Sequence, residues 1–138
     1  MADAQTVTKN TEKGEEITPF SIMAGLAGWL VPGAGHFIQK RWVRGFLLMI
    51  SVFAMFALGI MMNGKVYGGG PKDLLDALGL IGDIGSGLLY FLAVKGEWAH
   101  AAVQMATADY GTKFIIVAGL MNIICAVDAH NIALGKKN

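Results

Sequence analysis

The chain has little charge. Asp, Glu, Lys and Arg make up 15% of its 138 residues while 54% are hydrophobic, against roughly 25% charged residues in soluble globular domains. A water-soluble fold of this size would struggle to hide so much apolar surface. Cysteine is almost missing: Cys125 stands alone inside an apolar run, which excludes a disulfide framework and a two-cysteine metal pair. The net charge is +1, and the basic residues lack the aromatic interleaving that stacks bases, so no nucleic-acid partner is expected. The first residues, MADAQTVTKNTEKGEEITP, lack the basic start, apolar middle and cleavage site of a secretory leader. Residues 1–18 are expected to be a polar tail, ahead of a single domain over 19–138. Catalytic signatures are missing too: there is no nucleophile motif, phosphate loop or acid–base pair, so the chain does not read as an enzyme.

What is present is apolar length. Crossing a bilayer takes about 20 mostly apolar residues, because an unpaired backbone group in hydrocarbon costs several kcal/mol. Four stretches come close, at about 20–38, 45–63, 74–94 and 114–134. The first is interrupted by Pro32-Gly33, so it should kink or end there. The second is uncharged and apolar on every face rather than striped. The third holds two aspartates, and the fourth must run past Asp128 and His130 to be long enough. The expected fold is an all-α integral membrane protein with four transmembrane helices and a kinked first span; two spans with two core-like segments is the competing arrangement. Between the third and fourth spans, Trp98, Ala102, Met105 and Asp109 share one side of a short interfacial helix. No repeat at a fixed period stands out. Lys and Arg divide almost evenly between the two sides of a four-span chain; the density of KRWVR tips the first loop inside and both termini outside.

The third span carries a polar stripe. At about 100° per residue, Asp76, Gly79, Asp83, Ser86, Gly87 and Tyr90 fall on one side, while Leu74, Leu78, Ile81, Leu88, Leu89 and Leu92 take the other. A seam of small and polar residues backed by leucines is how a helix packs against other helices in lipid. The fourth span repeats this with Gly119, Asn122, Ala126, Ala129, His130 and Ala133. Antiparallel packing would bring Asp83 and Asn122 to one depth. An intramembrane aspartate faces the protein interior and takes a partner: Asp83 either locks two helices together through Asn122, serves a proton or cation, or meets a partner protein. Asp76 and Asp128, near span ends, are expected to be solvated.

His36, His100 and His130 show no zinc-type spacing to other ligands, so no metal site is expected. A single axial histidine needs no companion motif, which leaves haem or chlorophyll ligation open at all three. In LVPGAGHFIQKRWVRG the chain turns: Phe37 and Trp42 suit the headgroup layer, and Lys40, Arg41 and Arg44 can snorkel to lipid phosphates.

PGAGHF (32–37), a basic turn and RG (44–45) between two apolar helices resemble bacterial relatives of the TM2 domain, a two-helix membrane hairpin. The ending YGTKFIIVAGLMNIICAVDAHNIALGKK (110–137) is similar to the last helix of small four-span bacterial proteins of unknown function that contain such a hairpin. The resemblance implies location and topology and no activity. The resulting expectation is a multi-pass protein of the bacterial inner membrane, a non-enzymatic accessory subunit that packs against a larger respiratory, photosynthetic or transport complex. Its partners would be other membrane proteins and lipids, with homo-oligomers as a further possibility. The rivals are an oligomeric ion or small-solute conduit using Asp83, Ser86 and Tyr90, and a His-ligated haem or pigment carrier.

Overall fold

The computed structural model describes residues 17–67, 70–98 and 106–136. The described residues form six helices and no strands: α1 (Pro19–Leu30), α2 (Ala34–Ile38), α3 (Trp42–Met61), α4 (Leu74–Gly85), α5 (Leu88–Lys95) and α6 (Ala106–Ala133). Two of them, α3 and α6, are long and apolar enough to cross a membrane; α4 and α5 would add a third span only if the bent pair counts as one. The all-helical expectation is met; where four membrane-crossing helices with a kinked first span were expected, two or three segments are long and apolar enough. The reason lies in two breaks.

Thr18 caps α1, accepting from the Ser21 backbone N–H at 3.3 Å, and Pro19 at the first helical position loses nothing by lacking a donor. After 12 residues the helix stops at Val31-Pro32. At 1.5 Å per residue that is about 18 Å, short of the ~30 Å hydrocarbon layer. Gly33 takes φ +82 and its Cα lies against Gly45; a side chain there would strike the Gly45 carbonyl. The second break, at Ser86-Gly87, is sharper: α5 is bent by 110° from α4, with Gly87 at φ +60 against the Trp29 carbonyl.

The central helix is α6, and neighbours read along it give the topology. Ser21 lies beside His130 and Trp29 beside Asn122, so α1 runs antiparallel to α6. The chain then folds back: Gly35 packs on Ala24 and Ala129, and His36 reaches Asp128. Helix α3 leaves from that same end, with Arg44 near Asp128, and runs to Gly59 and Gly64 beside Gly111. Helix α4 starts from the opposite end and runs parallel to α6, Gly82 against Ile116 and Gly85 against Gly119 and Ile123. After the break, Leu89 and Ala93 of α5 join a core with Val52, Phe56, Ile115 and Ala118.

The molecule is therefore two hairpins and two long helices. Each hairpin enters from one end of α6 and turns back near its middle. Gly25, Gly28 and Gly33 recur 54 positions later as Gly79, Gly82 and Gly87, with GL-x-G in both copies, and the two copies point in opposite directions along α6. Three expectations are corrected. The start of α1, the basic turn and the end of α6 share one end of the molecule, so the first loop does not lie opposite the outer ends of those two helices. Asp83 and Asn122 lie on parallel helices rather than antiparallel ones. Leu89 is buried, because the break at Gly87 re-aims every side chain after it. Of the proposed interfacial helix, 106–113 is the first part of α6, and residues 99–105, His100 among them, lie outside the described residues, as does the tail before Ile17.

Candidate functional site

The polar seam resolves into two clusters, one where the hairpin tips meet and one at the basic turn. At the tips, Asn122 Nδ2 donates to the Trp29 carbonyl at 2.7 Å and to the Gly85 carbonyl at 2.9 Å. One side chain thus ties both hairpins to α6 and takes up carbonyls that the helix ends leave unpaired. The approach is possible because Gly119 lets α4 settle on it; a methyl group there would run into the Gly82 carbonyl and meet Ser86 Oγ at 2.9 Å.

Asp83 is fully buried one turn before the break. It does not bond Asn122. Its Oδ2 accepts the backbone N–H of Tyr67 at 2.7 Å, and the Tyr90 hydroxyl donates to the Tyr67 carbonyl at 3.1 Å. Both polar groups of one loop peptide unit pair are therefore held by the second hairpin. The Tyr67 ring covers Gly79, where a Cβ would come within 2.6 Å of it, and Lys65 Nζ sits 4.5 Å from the ring centroid. Burial, assisted by Asp76, Asp83 and Asp109, raises the Tyr67 phenol above its ordinary value. Asp83 Oδ1, Ser86 Oγ and Asn122 Oδ1 have no hydrogen-bond partner among the described residues.

The second cluster joins the two stretches that carry the sequence resemblance. His36, fully buried, meets Asp128 through Nε2 at 3.2 Å, and Arg44 lies 3.6 Å from the same carboxylate oxygen. Gln39 Nε2 donates to the carbonyls of Ala129 at 2.7 Å and Gly35 at 3.0 Å, and His130 Nδ1 is 2.8 Å from the Ser21 carbonyl oxygen. Asp128 is thus an ion-pair partner rather than a solvated end group. The pairing joins residues 92 positions apart, so spacing along the chain carried no sign of it.

Lys40, Arg41, Trp42 and Arg44 line an open groove with Val43. Lys40, Trp42 and Arg44 are exposed, and the Trp42 ring packs tilted against Phe37 with centroids 5.6 Å apart. His36 and His130 each have one ring nitrogen engaged by the fold. No three His, Cys, Asp or Glu side chains gather as a metal set among the described residues.

No curated protein and no solved structure matches the chain. Residues 23–138, from within α1 to the C-terminal end and including both hairpins, match DUF6677, a family of unknown function, and the chain belongs to that family.

Proposed function

We propose that the chain is a multi-pass protein of the bacterial inner membrane that works as a non-enzymatic accessory subunit, packed against a larger membrane complex. The observation that carries this reading is how the motif residues are used. PGAGH, RG and VDAH, the stretches that resemble the TM2-type hairpin and its four-span relatives, meet as a helix-to-helix fastening of His36, Asp128 and Arg44. Chemistry-bearing side chains engaged with one another across helices support a scaffold role. The four apolar segments all lie in the bilayer, α3 and α6 crossing it and the two hairpins dipping in from opposite faces. Broken helices are tolerated at that depth where protein covers them, as Asn122 does here.

The test of the subunit role is extraction of the full tagged chain in mild detergent, followed by native mass spectrometry. A fixed-ratio membrane-protein companion that persists through two chromatographic steps is expected. A chain that runs alone or only with copies of itself overturns the role.

A further inference from the structure

The fastening contacts at the hairpin tips leave a remainder. Asn122 has two carbonyls on its Nδ2, which fixes the amide orientation and leaves Oδ1 as a pure acceptor. Ser86, one turn after Asp83, presents Oγ at the Gly82–Gly119 crossing. Asp83 has used one carboxylate oxygen on Tyr67 and retains the other. Asp83, Ser86 and Asn122 are each 0% exposed, and no Lys, Arg or His among the described residues lies within ion-pair distance of Asp83. The last turn of α4 adds the negative end of its backbone dipoles. Three side-chain oxygens, one of them a carboxylate's, belong to residues within one helical turn of the crossing, and the Ser86 hydroxyl proton is the only side-chain donor they have among themselves. Left so, such a set costs several kcal/mol.

We propose that this crossing is a sodium-binding site, formed by Asp83 Oδ1, Ser86 Oγ and Asn122 Oδ1 at the tip of the second hairpin. The donor set selects the ion class. All three are hard oxygens, which excludes the softer metals that want imidazole or thiolate. A single carboxylate matches one positive charge, whereas calcium sites assemble six to eight oxygens with several carboxylates and magnesium demands a near-ideal octahedron. Broken half-helices whose C-terminal ends and side-chain oxygens face a cation near the bilayer midplane are a known physical solution for holding sodium in lipid. The first hairpin provides the internal contrast: at the equivalent positions it carries Trp29 for Asp83 and Pro32 for Ser86, neither of which has a side-chain oxygen.

The test uses the full chain in detergent micelles, radioactive sodium as the probe, and scintillation-proximity counting at mildly alkaline pH with ionic strength held by choline chloride. Sodium binding that unlabelled NaCl displaces and equal KCl does not is expected. Asp83→Asn should weaken it at least about tenfold, the equivalent of ~1.4 kcal/mol, and Ser86→Ala about threefold or more. Asp76→Asn, a carboxylate two turns earlier on the same helix, should bind as the wild type does. Circular dichroism checks that each variant keeps its helix content, and if Asp83→Asn does not fold, Ser86→Ala decides. Absence of displaceable sodium on the wild-type chain, equal displacement by potassium, or wild-type affinity in a folded Ser86→Ala variant each overturns the assignment.

Discussion

The two hairpins share a framework and differ in what they carry at the tip. Both set the second glycine of GL-x-G, Gly28 and Gly82, against α6 and both turn on a glycine with positive φ, Gly33 and Gly87. The first ends in Trp29-Leu30-Val31-Pro32 and is pinned from its base by His36, Asp128 and Arg44. The second ends in Asp83-Ile84-Gly85-Ser86, and Asn122 pins the tips of both through the Trp29 and Gly85 carbonyls. Fold is thus encoded in the shared glycines, which set how closely backbones approach, and chemistry in the positions where the copies diverge.

The largest effect expected from breaking this comparison lies at the turn of the second hairpin and at its seat on α6. Gly87→Ala puts a side chain at φ +60 into the Trp29 carbonyl, and Gly119→Ala drives α4 off α6. Each should cost about 3 kcal/mol or more, read as thermal unfolding in detergent. The asymmetry is read at the equivalent pair Gly82 and Gly28: Gly82→Ala would bring a methyl group to 2.7 Å from Ile116 Cγ2, whereas Gly28→Ala, whose nearest atom would be the Ala126 Cα at 3.4 Å, should stay under about 1 kcal/mol. Equal losses at both would erase the asymmetry between the hairpins.

Next in size is the fastening at the base. Asp128→Ala leaves the buried His36 without its carboxylate and should cost about 2–3 kcal/mol. A double-mutant cycle with His36→Ala should recover a coupling of about 1 kcal/mol or more, and strictly additive losses would show that the pair does not hold the hairpin.

How much of this was legible in the sequence varies with the kind of interaction. Apolar length marked α3 and most of α6, and Pro32 marked the first break, because a missing donor is a local property. Gly87 sat in a stripe that looked continuous through Tyr90, and a small residue inside an apolar run gives no local sign of a 110° bend. The repeat was hidden because only three glycines and a leucine per copy recur, too few for a period to stand out. Asp83, Ser86, Gly79, Tyr90 and Asn122 were readable as one seam from their helical spacing. Their partners were not: the Tyr67 peptide, the Trp29 carbonyl and the Asp128 carboxylate are contributed by segments distant in the chain, and backbone acceptors carry no residue type to notice.

A smaller effect sharpens the comparison at the loop over the second hairpin. Tyr90→Phe removes the hydroxyl that holds the Tyr67 carbonyl and should cost about 1 kcal/mol; radioactive sodium should also leave faster, and unchanged release would show that this loop is no barrier to exchange. The smallest effect is a pH dependence. Folding raises the Tyr67 phenol above its ordinary value, so its share of stability is intact below the unfolded value and is lost as pH climbs through the folded one. Tyr67→Phe keeps the backbone groups that Asp83 and Tyr90 hold, and should flatten that alkaline decline in melting temperature. Identical alkaline profiles would contradict it.

Helix α6 follows both hairpins in chain order, and this sets a sequence of events for biogenesis. Both hairpins are synthesised before the helix that completes their hydrogen bonds, so a nascent chain that stops short of residue 106 holds the Trp29 and Gly85 carbonyls without Asn122. Until that helix is made, the two tips lack the donor that joins them.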